Sequence, residues 1–354
     1  MSDTPNPREA LHHARAKVDA AFNSFVANTE AVYAIKRALT VALAQTPDGQ
    51  TVAMPKSFLL SGPASVGKTD LSKRIAKVLG LPQVRIDGRA VKTREKLFET
   101  IDEALAAHNL SAQYKEDRGG MPAFAYPPFL VFIDEAHLAG EKVQESFLTL
   151  LEADDRTIVL DGARGRRLAL VEKACFVLAT TKPADLDKAF RSRCIEIQLR
   201  RYTIEEVAEM VKARYTYLPD SAIERIAACS RMLPRVAFAM AEDVHDEVVY
   251  ADEDTPDIKA CVKRVMNGRG ILFANGVTRD DLRYLEVLKK EGRSLGERPL
   301  KAQLYDVDEA RVTDDIEPFL LSLEFIRMTG GGRTLTPAGD EFLREAKQLS
   351  KASR

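Results

Sequence analysis

The chain has no tryptophan, four cysteines in 354 residues, and no marked excess of either charge. Cys175, Cys194, Cys229 and Cys261 lie far apart and make no Cys-x-x-Cys pair. That excludes a disulfide scaffold or a thiolate zinc knot and fits inert thiols in a reducing cytosol. The five histidines, including the neighbours His12 and His13, show no zinc-ligand spacing. No apolar run nears the roughly 20 residues needed to cross a bilayer. The start Met-Ser-Asp-Thr-Pro-Asn-Pro has no signal-peptide core. A cytoplasmic protein without membrane contact is expected. Lys plus Arg number 52 against 53 Asp plus Glu, a net charge of −1, which does not advertise nucleic-acid binding but leaves room for a local basic patch. The apolar content of 45% supplies core for roughly two or three domains.

What is present is a Gly-x-x-x-x-Gly-Lys-Thr loop. Ser57 to Ser61 reads as a short buried strand, and Gly62-Pro63-Ala64-Ser65-Val66-Gly67-Lys68-Thr69-Asp70 follows it into a helix from about Leu71 to Leu79. The two glycines permit a tight loop whose N–H groups surround phosphate oxygens. Lys68 reaches the β- and γ-phosphates, and the Thr69 hydroxyl can ligate Mg²⁺. The helix N-terminus adds its dipole. ATP with Mg²⁺ is the expected ligand.

The rest of the chain alternates. Ala10 to Ala44 is helical with a break near Asn28, where Asn28 or Thr29 can cap the second helix; Pro47-Asp48-Gly49 is a turn. Strands are predicted at Val84 to Ile86, Phe129 to Ile133 and Ala174 to Leu178, with helices over Lys92 to His108 and Val143 to Glu152. Thr157 to Leu160 and Arg167 to Val171 alternate around a Gly-containing turn and read as a β-hairpin. Asn109 to Pro128 reads as an unusually long loop. This pattern predicts an α/β fold with a parallel, doubly wound sheet. After Leu199 the periodicity is helical, over Glu205 to Arg214, Ser221 to Ser230 and Pro234 to Val249. From Val277 on, three helices, a hairpin over Ile326 to Leu335 turned by Gly330 to Gly332, and a closing helix describe a winged helix.

Asp134-Glu135 ends the most apolar strand. In an open α/β sheet the ligand lies beyond the carboxyl ends of the strands. Asp134 can therefore hold Mg²⁺ and Glu135 can deprotonate the attacking water, rather than merely capping the next helix. Thr180-Thr181 ends the neighbouring strand and can bond the γ-phosphate or the water. Arg191-Ser192-Arg193 can reach a neighbouring subunit's ATP, or form a solvated basic turn; Arg235, after Pro234, can reach the γ-phosphate or stay on the surface. The basic tip Arg164-Gly165-Arg166-Arg167 can meet nucleic acid, an acidic partner or water. Leu168 and Leu170 beside it are core or a partner contact. Arg327 and Arg333 flank the glycine turn of the wing, which can lie on DNA phosphates or dock protein.

Together these motifs resemble an AAA+ ATPase, and their order resembles the RuvB family of Holliday-junction branch-migration motors, over Phe22 to Phe342. The resemblance rests on Gly62 to Thr69, Phe132 to His137 (Phe-Ile-Asp-Glu-Ala-His), Ala179 to Lys182, Arg191 to Arg193 and Pro234-Arg235. Its most specific part is Asp315 to Leu320 with Phe325 to Arg333. It implies a large ATPase domain over 1–199, a small all-helical lid over 200–272 and a winged-helix DNA-binding domain over 273–354. It implies that Thr181 is sensor 1, Arg193 the arginine finger, Arg235 sensor 2 and Arg333 the wing residue on DNA. It also implies double-stranded or branched DNA as partner, a hexameric ring, and a RuvA-like junction protein docking at Leu168 and Leu170. The chain departs from the family at Ala64-Ser65, where Pro-Gly is usual, in the long Asn109 to Pro128 segment, in the basic hairpin tip, and at Cys194. A rival of another class is a regulator whose ATP cycle gates assembly on a protein, as in clamp loaders.

Overall fold

A computed structural model describes residues 7–46, 53–152, 156–162, 165–251, 257–304 and 306–352. The expected turn at Pro47-Asp48-Gly49 and the residue Arg164 lie outside these. Residues 1–202 form one compact unit and 203–354 a second.

The first unit opens with helices α1 (Pro7–Phe22) and α2 (Thr29–Ala44). The break between them is where Ala27 and Asn28 both take positive φ, 71° and 52°. Asn28 stands at the N-cap of α2 without capping it. Its side-chain amide instead accepts from the Arg200 N–H at 2.8 Å and donates to the Arg200 carbonyl at 3.4 Å.

There follow β1 (Phe58–Ser61), α3 (Lys68–Leu79), β2 (Gln83–Asp87), α4 (Arg94–Ala106), β3 (Gln113–Arg118) and β4 (Met121–Ala125). Then come β5 (Phe129–Asp134), α5 (Glu141–Leu150), β6 (Thr157–Gly162), β7 (Gly165–Leu170), β8 (Ala174–Thr180), α6 (Lys188–Ser192) and β9 (Ile195–Gln198). Five of these strands make a parallel sheet in the order β2-β5-β8-β1-β9. Every residue of β8 is buried, and so are the first five of β5, as a strand covered on both faces requires. Phe129, Phe132, Phe147 and Phe176 are fully buried around this sheet. Each contributes about 2–3 kcal/mol of burial, so the sheet is a stiff frame for whatever sits on its edge.

The segment expected to be a long loop is a hairpin, β3–β4. It joins the hairpin β6–β7 in a second sheet, ordered β3-β4-β7-β6, in which β4 runs parallel to β7. All six residues of β3 are exposed, and a bulge interrupts its pairing between Tyr114 and Asp117. The bulge and the charges of Lys115 to Arg118 blunt this outer edge against pairing with other chains.

The second unit begins with α7 (Ile204–Arg214), α8 (Asp220–Cys229), α9 (Pro234–Tyr250) and α10 (Ile258–Gly268). A capping box, Thr203 with Glu206, starts α7. The winged helix follows in the same unit: α11 (Arg279–Glu291), α12 (Glu297–Gln303), and α13 (Glu309–Arg311), which runs through a π turn over Val312–Ile316 into α14 (Glu317–Ser322). The wing is β10 (Ile326–Thr329) paired antiparallel with β11 (Gly332–Leu335), and α15 (Pro337–Ala352) closes the unit. Tyr284, Leu285, Leu300, Ile316 and Leu320 form its core.

Candidate nucleotide site

Strands β1, β5 and β8 are neighbours running the same way, so Ser61, Asp134 and Thr180 end side by side. The loop after β1 is fixed at both ends. The Gly62 N–H donates to the Thr180 carbonyl at 3.2 Å, and the Tyr202 hydroxyl donates to the Val66 carbonyl at 3.0 Å. Gly67 has φ of 91°, and a Cβ there would lie 2.7 Å from the Tyr202 oxygen and 3.0 Å from the Phe25 ring. Any side chain at 67 thus meets both left-handed strain and a wall. Ser65 also has positive φ, 62°, the kind of left-handed turn from which anion-binding nests of successive N–H groups are built.

Lys68 is buried, and its Nζ donates to the carbonyls of Gly62 and Pro63, each at 2.7 Å. Burial lowers its pKa, while the charges of Glu135 and Asp134 pull it back up. Thr69 is half-buried, whereas Asp70 is exposed and pairs with Arg74 at 2.7 Å, beyond the loop. Backbone donors, one lysine and the hard oxygens of Thr69 and Asp134 fit a triphosphate with Mg²⁺, and no soft ligand intervenes.

Glu135 has φ of 48°, an uncommon conformation for this residue type. Gly88, after β2, makes that turn possible: a Cβ at 88 would sit 2.4 Å from the Glu135 carbonyl oxygen. The Glu135 Oε2 accepts from the Thr181 hydroxyl at 2.9 Å and the Thr181 N–H at 3.2 Å. His137 Nδ1 lies 3.3 Å from the same oxygen and 2.9 Å from the Thr180 hydroxyl. The Lys182 N–H donates to that hydroxyl at 3.0 Å. Glu135 and Thr181, picked from separate strands in the sequence, are thus joined directly. Sequence reasoning missed His137 and Tyr202. Their signals were an aromatic ring two residues past Glu135 and a tyrosine just after β9.

The arginines are differently placed. Arg193 Nε contacts Glu152 at 2.7 Å and Nη1 donates to the Ala189 carbonyl at 2.7 Å. Arg191 pairs with Glu196 at 2.6 Å. Glu152, a third residue missed in the sequence, therefore holds the Arg193 side chain here. Arg235 is the exposed second residue of α9, in the second unit.

Two expectations are corrected. Leu168 and Leu170 do not face outward: they are 8% and 5% exposed and pack with Ala123 of β4. Strand β4 lies beside β7 and packs Met121, Ala123 and Ala125 against them. Arg333 is not at the surface of the wing. It is 9% exposed, and its guanidinium donates to both carboxylate oxygens of Glu317 at 2.8 and 2.9 Å. Within the wing, Arg327, Met328, Thr329 and Gly330 are exposed instead.

Two family profiles match: the RuvB C-terminal winged helix domain over residues 274–344, and the ATPase family associated with various cellular activities (AAA) over residues 58–202. The Holliday junction branch migration complex subunit RuvB of Anaplasma marginale (strain St. Maries) is 26% identical over 358 residues, covering 98% of this chain and 99% of the relative. The RuvB subunit of Anaplasma phagocytophilum (strain HZ) is 28% identical over 298 residues, covering 82% and 83%. Among solved structures, the Thermotoga maritima RuvB Holliday junction branch migration motor aligns with a TM-score of 0.65 at 25% identity, covering 90% of this chain and 95% of that one. A mutant form of the same protein reaches 0.70 at 24% identity, covering 91% and 96%. With an ATPase site at the sheet edge, a RuvB-type winged helix later in the sequence, and near full-length alignment to RuvB subunits, the chain belongs to the RuvB family of AAA+ ATPases.

Proposed function

We propose that this protein is a ring-forming ATPase that converts hydrolysis into movement along double-stranded or branched DNA. The observation that carries the reading is the hydrogen-bonded pair Glu135–Thr181, held on adjacent strand ends beside the Lys68 loop.

In this reading the N–H groups of Ala64 to Asp70 and the Lys68 ammonium hold the phosphates. Thr69 and Asp134 would hold Mg²⁺, which neutralises charge on the transferring phosphoryl group. Glu135 orients the attacking water and takes its proton, and Thr181 fixes the direction of that carboxylate. Lys68 exchanges its bonds to the Gly62 and Pro63 carbonyls for phosphate oxygens. Arg193 completes the neighbouring subunit's site after releasing Glu152, and Arg235 couples γ-phosphate loss to the angle of the helical lid. These roles require a closed ring of head-to-tail subunits, and the ring proposed is a hexamer.

On the DNA side, Arg327 replaces Arg333 as the wing residue available to phosphate. Contact with a RuvA-like junction protein through the β6–β7 hairpin would fall on the exposed Val159 and Arg166, since the two leucines are covered. The domain limits follow the same logic: ATPase over 1–199, lid over 200–272, winged helix over 273–354.

The test is ATP hydrolysis with and without a synthetic four-way junction, together with particle images of the nucleotide-bound form. Junction-stimulated turnover and ring particles are expected. A monomer that hydrolyses nothing when saturated with nucleotide, magnesium and junction DNA overturns the proposal.

A further inference from the structure

Between α8 and α9, Arg231 and Met232 both adopt φ of 58°. Consecutive left-handed residues that are neither glycine nor asparagine are strained and persist only where their surroundings over-determine them. The surroundings here belong to the winged helix. The Arg231 side chain is 9% exposed. Its Nη2 donates to Asp281 Oδ2 at 2.7 Å, and its Nη1 lies 3.1 Å from Asp315 Oδ2, close enough for an ion pair but off the hydrogen-bond line. Its Cζ sits 4.5 Å from the centre of the Phe319 ring. One lid residue therefore touches the first turn of α11, the π turn and α14.

The receiving side is built for it. Asp281 is wholly buried, and its Oδ2 also accepts from the N–H and hydroxyl of Thr278, each at 2.7 Å. Its Oδ1 has no hydrogen-bond partner among the described residues. A buried carboxylate with one unsatisfied oxygen is costly, and a cation aimed at it from another element offsets that cost. A guanidinium over Phe319 adds a cation–π contact out of water. Met232, Leu233 and Pro234 then lead into α9, so only three residues separate Arg231 from Arg235.

We propose that Arg231 is a positioning residue that pins the winged helix to the lid, so that a lid angle set at Arg235 reaches the wing undiminished. The pin is a geometric statement about the second unit. Its mechanical role rests on the motor reading above.

The test uses the full chain with cysteines introduced at the exposed Val249 and Met328 for spin labels; the native cysteines are buried and stay unlabelled. The background is compared with R231M/D281N, which removes the charge and its counter-charge together and so avoids an orphaned carboxylate. A single narrow distance is expected with Arg231 present, broadening to a spread of several ångströms or more in the double variant, at unchanged circular dichroism. ATP turnover is expected to stay within twofold, while junctions migrated per ATP fall at least fivefold. An unchanged narrow distance overturns the pin. A broadened distance with migration per ATP intact overturns the coupling role. If the background protein moves no DNA at all, the motor reading fails while the distance measurement still decides the pin.

Discussion

Arg333 and Glu317 form a two-pronged ion pair inside the winged helix, at 2.8 and 2.9 Å, and the Tyr284 hydroxyl donates to the same carboxylate at 3.0 Å. Removing one partner leaves the other charge buried without compensation. Arg333→Ala is therefore expected to lower stability by about 3 kcal/mol, seen as an earlier thermal transition of the C-terminal unit. Arg327→Ala, on the exposed strand β10, should leave the transition within about 0.5 kcal/mol and weaken duplex binding instead, with a shallower salt dependence. Equal melting temperatures for the Arg333 variant and the parent would contradict the buried-pair account.

The Glu135 carboxylate is the group whose loss should be purest in effect. Glu135→Gln keeps the acceptor oxygen for Thr181 but cannot take a proton. ATP binding should be retained while turnover falls roughly 10²–10⁴-fold. Thr181→Val removes the 2.9 Å hydroxyl bond and leaves the N–H, so a smaller loss of kcat is expected, again without a change in nucleotide affinity. Turnover and affinity falling together would point to a collapsed loop rather than to catalysis.

Arg193 should act across subunits. Arg193→Ala is expected to bind nucleotide yet lose roughly 10³-fold or more in turnover. Mixing it with Lys68→Ala should recover part of the activity, because hybrid seams pair an intact loop with an intact finger. Glu152→Gln loosens the contact that holds Arg193 at 2.7 Å, and should raise basal hydrolysis at low protein concentration. Mixtures no more active than either parent would argue for a finger acting within its own subunit.

The cysteines give a pH test. Burial pushes the thiols of Cys175 and Cys194 up to about 12, with Arg156 and Lys56 respectively pulling them slightly back. The folded pKa lies above the unfolded value of about 8.5. Their contribution to stability is thus fully present below that unfolded value and is lost as pH rises toward 12. At pH 8 a thiol reagent should find neither in the native protein, and find both after unfolding in denaturant. Rapid labelling of the native protein at pH 8 would refute the burial.

Much of the nucleotide site could be read from residues alone, because its signals are local. Five apolar residues before Asp134-Glu135 can only be a strand covered on both faces, and Gly62 to Thr69 carries its own turn chemistry. What escaped depends on residues distant in sequence. Gln113 to Arg118 shows no apolar alternation and is extended only because β4 pairs with it, so context outweighs propensity. Leu168 and Leu170 show the alternation of a half-buried strand, but the Ala123 that packs beside them lies 45 and 47 positions earlier. Arg333 looks like a wing arginine until Glu317, on another element, is seen beside it. The β9 strand, Ile195–Gln198, is too short to declare itself.

The hairpin Gln113 to Ala125 has a further consequence. With β4 paired along β7, the chain uses up that strand's edge within itself, so a partner can add a strand there only by displacing the hairpin.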